Sequence, residues 1–512
     1  MLVLGYRSFL PSMKRLVFCL PLFLFSGTAF SQLKYDNVWT MGYGKVGPSQ
    51  IGYPFGGIIM DFNDTPPSFT LQTYIFDRPK AAISDKNGNL VGYTNGCMIV
   101  NRNHQLMLNG DTLSPGSVFN EFCEDGDYPS WQPAIFLPTP ASDSLYYLFH
   151  IRGDDYTWNP INLMYSVIDA SGDNGNGMVL TKNNVIFSDS LYLGTYVTAT
   201  RHANGKDWWL VNPRHFSNNI HVSLCTKDKV TYQGMQDFDH LNMEIDSFPW
   251  SSQTAFSADG SKYFRNSHNS LLMLDFDRCT GKLSNPVRLD WDSIPFGGGG
   301  VVTSPNSRFL YLSSGGTVQQ YDLLATDLVA SMQVVAVYDG TLAPFPANFF
   351  QMMPGPDGKI YIISSHDNNI LHVIHNPDSL GLACNVEQHA IILPARQGYF
   401  IPNFANYNLG PLDSPCDTTG GVGTVSQNSK SKVLQIAPNP TTGLTEITLP
   451  NNLGGLLTVY NVSGQKVNTR SFLAETNKLS LDFTQKPAGP YWIVVSDDTG
   501  KLVVTGKFSV LH

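Results

Sequence analysis

Residues 254–266 read TAFSADGSKYFRN: a short apolar run, an Asp259-Gly260 turn, then a run of aromatic residues. Gly accepts the positive φ that tight turns need, and Asp bonds its own backbone two residues on, so the pair marks a reversal between two strands. The same pattern recurs at 83–95 (ISDKNGNLVGYTN), 139–151 (TPASDSLYYLFHI), 200–212 (TRHANGKDWWLVN), 303–314 (TSPNSRFLYLSS) and 353–365 (MPGPDGKIYIISS). The turn pairs are Asn87-Gly88, Asp143-Ser144, Asn204-Gly205, Asn306-Ser307 and Asp357-Gly358. Successive turns lie 47 to 61 residues apart. A further strand-like run usually follows, as at 220–225 (IHVSLC) and 271–277 (LLMLDFD).

Short strands repeating near fifty residues predict a β-propeller, one four-stranded blade per repeat. A lone blade cannot bury both its faces, whereas a ring of blades can. Six internal repeats leave two orphan segments, 38–44 with 56–62 at one end and 398–409 at the other. Joined as one composite blade, they close a seven-bladed ring and remove the exposed sheet edges. Counting turns alone leaves six or eight blades open.

Three segments, 81–110, 202–213 and 401–411, resemble the propeller segments of secreted and gliding-associated proteins of Bacteroidetes. The likeness extends over most of residues 33–411. It implies the fold; that family has no uniform activity.

The flanks read as addresses. Lys14 and Arg15 precede an apolar run from Leu16 to Phe25, with small residues Ala29 and Ser31 after it. This predicts a signal peptide over 1–31, starting in practice at Met13 and cut before Gln32. The run is too short to cross a bilayer, and no later stretch reaches the ~18 apolar residues a spanning helix needs. The propeller is expected over 33–410. Residues 411–432 are poor in bulky side chains and rich in Gly, Ser and Thr, a linker composition. Strand-like runs resume over 433–512 and predict a small β-sandwich. Within it APNPTTG (437–443), LTVYNVSGQKV (457–467), LDF (481–483), AGPYWIVV (488–495) and GKFSV (506–510) resemble, in order, the type A C-terminal sorting domain of the Bacteroidetes type IX secretion system. The residues carried over are Pro438, Asn439, Pro440, Gly443, Gly464, Gly489, Tyr491, Gly506 and Lys507. The resemblance implies an interaction with that secretion machinery and delivery to the surface or medium. The chain departs from the pattern in ending on Val510-Leu511-His512 rather than on basic residues.

An apolar share of 42% and a charged share of 14% describe a chain with a sizeable core. A net charge of −9 without a basic face argues against nucleic acid as a partner. Once the leader is gone, Cys97, Cys123, Cys225, Cys279, Cys384 and Cys416 remain. No C-x-x-C occurs among them, so disulfides are expected rather than a zinc site. Pairing of sequence neighbours (97–123, 225–279, 384–416) is the working expectation, with burial as small apolar residues the alternative.

Catalytic motifs are absent: there is no H-E-x-x-H, G-x-S-x-G or Walker loop. His372 and His375 stand three apart, which in a strand puts them on opposite faces. The remaining candidate site is His202, Trp208, Trp209, His215 and His221, a polar and aromatic group suited to stacking against a glycan or a protein. Blade packing is its alternative reading. Glu124/Asp125/Asp127, Asp154/Asp155 and Asp169/Asp173 offer oxygens for Ca²⁺, although Asp is also an ordinary turn residue. The sequence therefore predicts an exported, non-enzymatic propeller binding an extracellular glycan or protein. Its alternatives are a hydrolase or lyase working in the channel, or a structural adhesion or gliding protein.

Overall fold

The computed structural model describes residues 32–511 except 48–53, 125, 131, 141, 154–159, 190, 192–196, 215–216, 240–252, 268–269, 291–298, 414–415, 417–433, 450–453, 462–464 and 498–501. The expected signal peptide and most of the expected linker fall outside the described residues. Two compact units emerge, residues 1–418 and 419–512.

The first unit holds seven antiparallel sheets among its described residues, five of four strands and two of three. The fourth blade shows how sequence makes one. Its strands Thr198–Arg201, Trp208–Pro213, Ile220–Cys225 and Val230–Gln236 pair in chain order. The first turn uses Gly205 at φ 68°. The sixth blade reaches the same conformation with Ser307 at φ 60°. Strand alternation then sends neighbouring side chains to opposite faces. Trp208 and Leu210 pack toward the third blade with Phe149. Trp209 and Val211 pack toward the fifth with Tyr263 and Leu272.

The same division of faces repeats around the ring. Phe264 and Met273 meet Val301 and Leu312 between the fifth and sixth blades. Tyr311 meets Ile360 and Ile374 between the sixth and seventh. Trp39 and Met41 of the first blade meet Tyr361 and Leu371 of the seventh, which closes the circle. Tyr74 and Tyr93 join the first blade to the second. With apolar burial worth about 25 cal/mol per Å², each interface stabilises both its neighbours, and none is complete without the ring.

The seam differs in one respect from the expected composite blade. Residues 397–408 do run antiparallel beside Val38–Gly47. Gly42 N donates to Gln397 O (3.1 Å), and Leu33 and Asn408 exchange two hydrogen bonds (2.6 and 3.0 Å). Over 398–410, however, the chain forms no strand, and the first sheet has three. Pro402 lacks an N–H, and the neighbouring asparagines reach other blades instead. Asn403 Nδ2 donates to Ala134 O (3.0 Å) and Val197 O (2.8 Å), and Asn406 Nδ2 to Ala258 O (2.7 Å).

Cys97 is bonded to Cys123. The other disulfide joins Cys279 to Cys416, 137 residues apart, so the expected 225–279 and 384–416 pairs do not form. Cys225 and Cys384 are buried free thiols. Neighbour pairing failed because the fifth-blade turn at Cys279 lies beside the departing chain: Arg278 Nη2 donates to Gly410 O (2.6 Å) and Leu412 N to Ala203 O (2.9 Å).

The second unit packs a three-stranded sheet against a four-stranded one over a core that includes Ile447, Val459, Phe483, Tyr491, Ile493 and Phe508. Asn439 staples the first turn to the last strand. Its Nδ2 donates to Lys507 O (3.0 Å), and its Oδ1 accepts from Ser509 N (3.1 Å). Tyr491 stacks on Phe508, its hydroxyl donating to Pro487 O (2.7 Å). A Cβ on Gly443 would meet the Thr484 hydroxyl at 2.6 Å. Gly464 lies outside the described residues. Among the described residues no helix is long and apolar enough to cross a membrane.

Candidate functional site

The first strand of a blade lies innermost, so the starts and ends of these strands line the central channel. A cavity of about 270 Å³ occupies it, bounded by the inner strands of the fourth to seventh blades and by the seam residues Asn403 to Asn406. Its walls are largely uncharged. Thr198 and Thr254 bond hydroxyl to hydroxyl across two blades. Gln253 ties three inner strands: its Nε2 donates to Met352 O (2.7 Å), while its Oε1 accepts from Val301 N and Met352 N (both 3.1 Å).

Gln132 lies two residues before Ala134–Pro138, the inner strand of the third blade, and its side chain is placed differently. It is 1% exposed, lines the cavity, and neither amide atom has a hydrogen-bond partner. A buried carboxamide with nothing to bond costs about 1–3 kcal/mol per orphaned group. It presents one donor and one acceptor side by side. Asp36, where the chain enters the first blade, also lines the cavity. Its Oδ1 is buried without a partner, and burial pushes the carboxyl up to about 7.

The residues expected to form a ligand platform lie elsewhere and do not converge. Trp208 is fully buried; its indole donates to Pro138 O (3.0 Å), and the Arg201 guanidinium covers its ring at 3.7 Å. Trp209 faces the opposite interface, donating to Arg278 O (2.7 Å). His202 packs on Trp209 and approaches Cys279 O (3.2 Å). His221 is buried against Phe187, with Tyr232 Oη at 2.8 Å and Asp189 Oδ2 at 3.3 Å. Burial lowers its pKa, and Asp189 opposes the shift. His215 lies outside the described residues. The two tryptophans thus offer no open face on which a sugar could stack.

Of the acidic groups considered for Ca²⁺, Asp127 is committed to Arg78 (2.6 Å) and to the buried Lys80 (2.5 Å), whose ammonium also sits over Phe400. Desolvation brings Lys80 down to about 7 despite Asp127. Asp169 caps its own turn through Ser171. Asp125, Asp154 and Asp155 lie outside the described residues. Among the described residues no group of three or more His, Cys, Asp or Glu is placed to hold a metal.

The channel residues were missed because they carry no motif. A signal existed nonetheless: Gln253 opens an inner strand seven residues before the turn glycine of its repeat, and Gln132 precedes an inner strand.

Fold and channel define a class: a seven-bladed propeller followed by a separate β-sandwich. Residues 435–510 match the family of secretion system C-terminal sorting domains. The chain is thus cargo of the type IX secretion system, delivered to the cell surface or the extracellular space. No curated protein matches it by sequence. Among solved structures it is similar to a candidate 6-phosphogluconolactonase from Bacteroides uniformis, at 12% identity and TM-score 0.44, over 70% of this chain and 98% of that one. A second candidate 6-phosphogluconolactonase, from Bacteroides fragilis, gives 12% and 0.41, over 70% and 97%. PorZ, a surface component of the type IX system of Porphyromonas gingivalis, gives 10% and 0.35, over 94% and 60%. At such scores the activity must be argued from this chain's own residues.

Proposed function

We propose that this exported propeller is a binding module that holds a small extracellular ligand in its central channel. The observation that carries the reading is Gln132, a buried carboxamide lining the cavity with both its polar atoms unpaired. Polar groups buried this deeply are ordinarily bonded, so a ligand that bonds both atoms recovers free energy the free protein forgoes. Binding rather than catalysis is favoured by the chemistry of the walls. Asp36 is the one acid–base side chain among the described lining residues, and general acid–base catalysis on a bound substrate ordinarily needs a second titratable group within reach.

A thermal-shift screen of extracellular sugars, peptides and small metabolites against the secreted protein tests this, with turnover assays on every hit. Hits that raise the melting temperature without turnover, and that Gln132→Leu abolishes, support the reading. Turnover lost on Asp36→Asn would instead establish an enzyme.

A further inference from the structure

We infer that the channel ligand carries a single ammonium group, recognised by Asp36, on a body whose hydroxyl or amide groups bond Gln132. This rests on the channel-binding reading above and names the ligand class for that site.

Three observations lead to it. Asp36 is the one ionisable side chain among the described residues lining the cavity, so nothing cationic on the walls competes for it. Its Oδ1 is buried and unpartnered, the arrangement in which an incoming cation gains most, because the carboxylate has already lost its water. Gln132 supplies the second, independent contact.

The groups facing Asp36 leave its charge uncompensated. Tyr407, on the seam, is the titratable neighbour coupled to it, and its hydroxyl donates to Phe136 O (2.8 Å). Lys34, two residues away, reaches Asn63 Oδ1 (3.2 Å) instead. From the inner strands come threonines, Gln253 and apolar residues, and from the seam Asn403, Asn406 and Asn408. A carboxyl titrating near 7 in such surroundings is mostly protonated at pH 6 and mostly ionised at pH 8. An ammonium ligand therefore binds the ionised form and displaces its proton.

Calorimetric titration of the secreted protein with cyclohexylammonium, which stays charged throughout, and with cyclohexanol, its neutral match, separates the possibilities. The amine should bind more tightly, its affinity strengthening about tenfold from pH 6 to pH 8 as the ionised fraction rises. Cyclohexanol should bind more weakly at pH 8 and with little pH dependence. The near-isosteric Asp36→Asn should erase both the preference and the pH dependence while keeping the parent's melting temperature near pH 4, where the carboxyl is protonated in the folded chain and only partly ionised in the unfolded one. Equal binding of both probes, unaffected by Asp36→Asn, overturns the ammonium assignment but leaves channel binding standing. Absence of amine binding at millimolar concentration also overturns it. Channel binding falls only if screening hits prove indifferent to Gln132→Leu.

Discussion

Asp36 and Gln132 are held by the ring in places where each alone costs stability. For Asp36 the cost has a sign that can be checked without any ligand. Its carboxyl titrates near 7 in the folded chain and near 3.8 unfolded, so the folded state binds more protons between those values. The destabilisation contributed by Asp36 is thus smallest at acid pH and grows as pH rises toward 7. Asp36→Asn removes that dependence. Its urea midpoint should match the parent near pH 4 and exceed it at pH 8, by roughly 2–4 kcal/mol in unfolding free energy. A variant no more stable than the parent at pH 8 would show that the folded chain already solvates this carboxylate. Trp208 and Trp209 make the opposite point. Adjacent aromatic residues in a strand face opposite ways, so the pair that looks like a platform in sequence is two separate pieces of core.

At the scale of elements, the seam and its clasp decide whether the ring stays closed. Residues 397–408 complete the first blade without forming a strand, and Cys279–Cys416 fixes the chain just beyond them. A cross-link closing so long a loop restricts the unfolded chain strongly, so Cys416→Ser should cost about 2–5 kcal/mol. Denaturant unfolding of the unreduced variant measures this, and an unchanged midpoint would mean that the hydrogen bonds of Asn403, Asn406 and Asn408 hold the seam unaided. Much of this architecture was legible in the sequence. Turn pairs such as Asp259-Gly260 and Asp357-Gly358 mark the reversals because backbone conformation there is a local property. The 398–409 segment was correctly placed beside residues 38–44 by the need for closure. What stayed hidden depends on three-dimensional adjacency: that Cys416 meets Cys279, and that Gln132, Gln253 and Asn403 look into one cavity.

For the whole molecule, the division into two compact units separates address from activity. Sorting-motif residues such as Asn439 and Tyr491 are spent inside the sandwich core and its turns, and the clasp at Cys416 lies within the first unit. Deletion of residues 419–512 should therefore leave the propeller's melting temperature unchanged while the protein accumulates in the periplasm. Normal surface delivery of the truncated chain, or a large drop in its melting temperature, would contradict the division. The channel, by contrast, belongs to the ring as a whole, since its walls come from several blades and both ends of the first unit. Ligand binding in the channel is tested by a crystal structure of the secreted protein soaked with a ligand found by screening. Ligand density is expected in the channel, within hydrogen-bond distance of Gln132 and Asp36. Density on the His202–His221 segment or on an outer blade edge, with the channel unchanged, would contradict it.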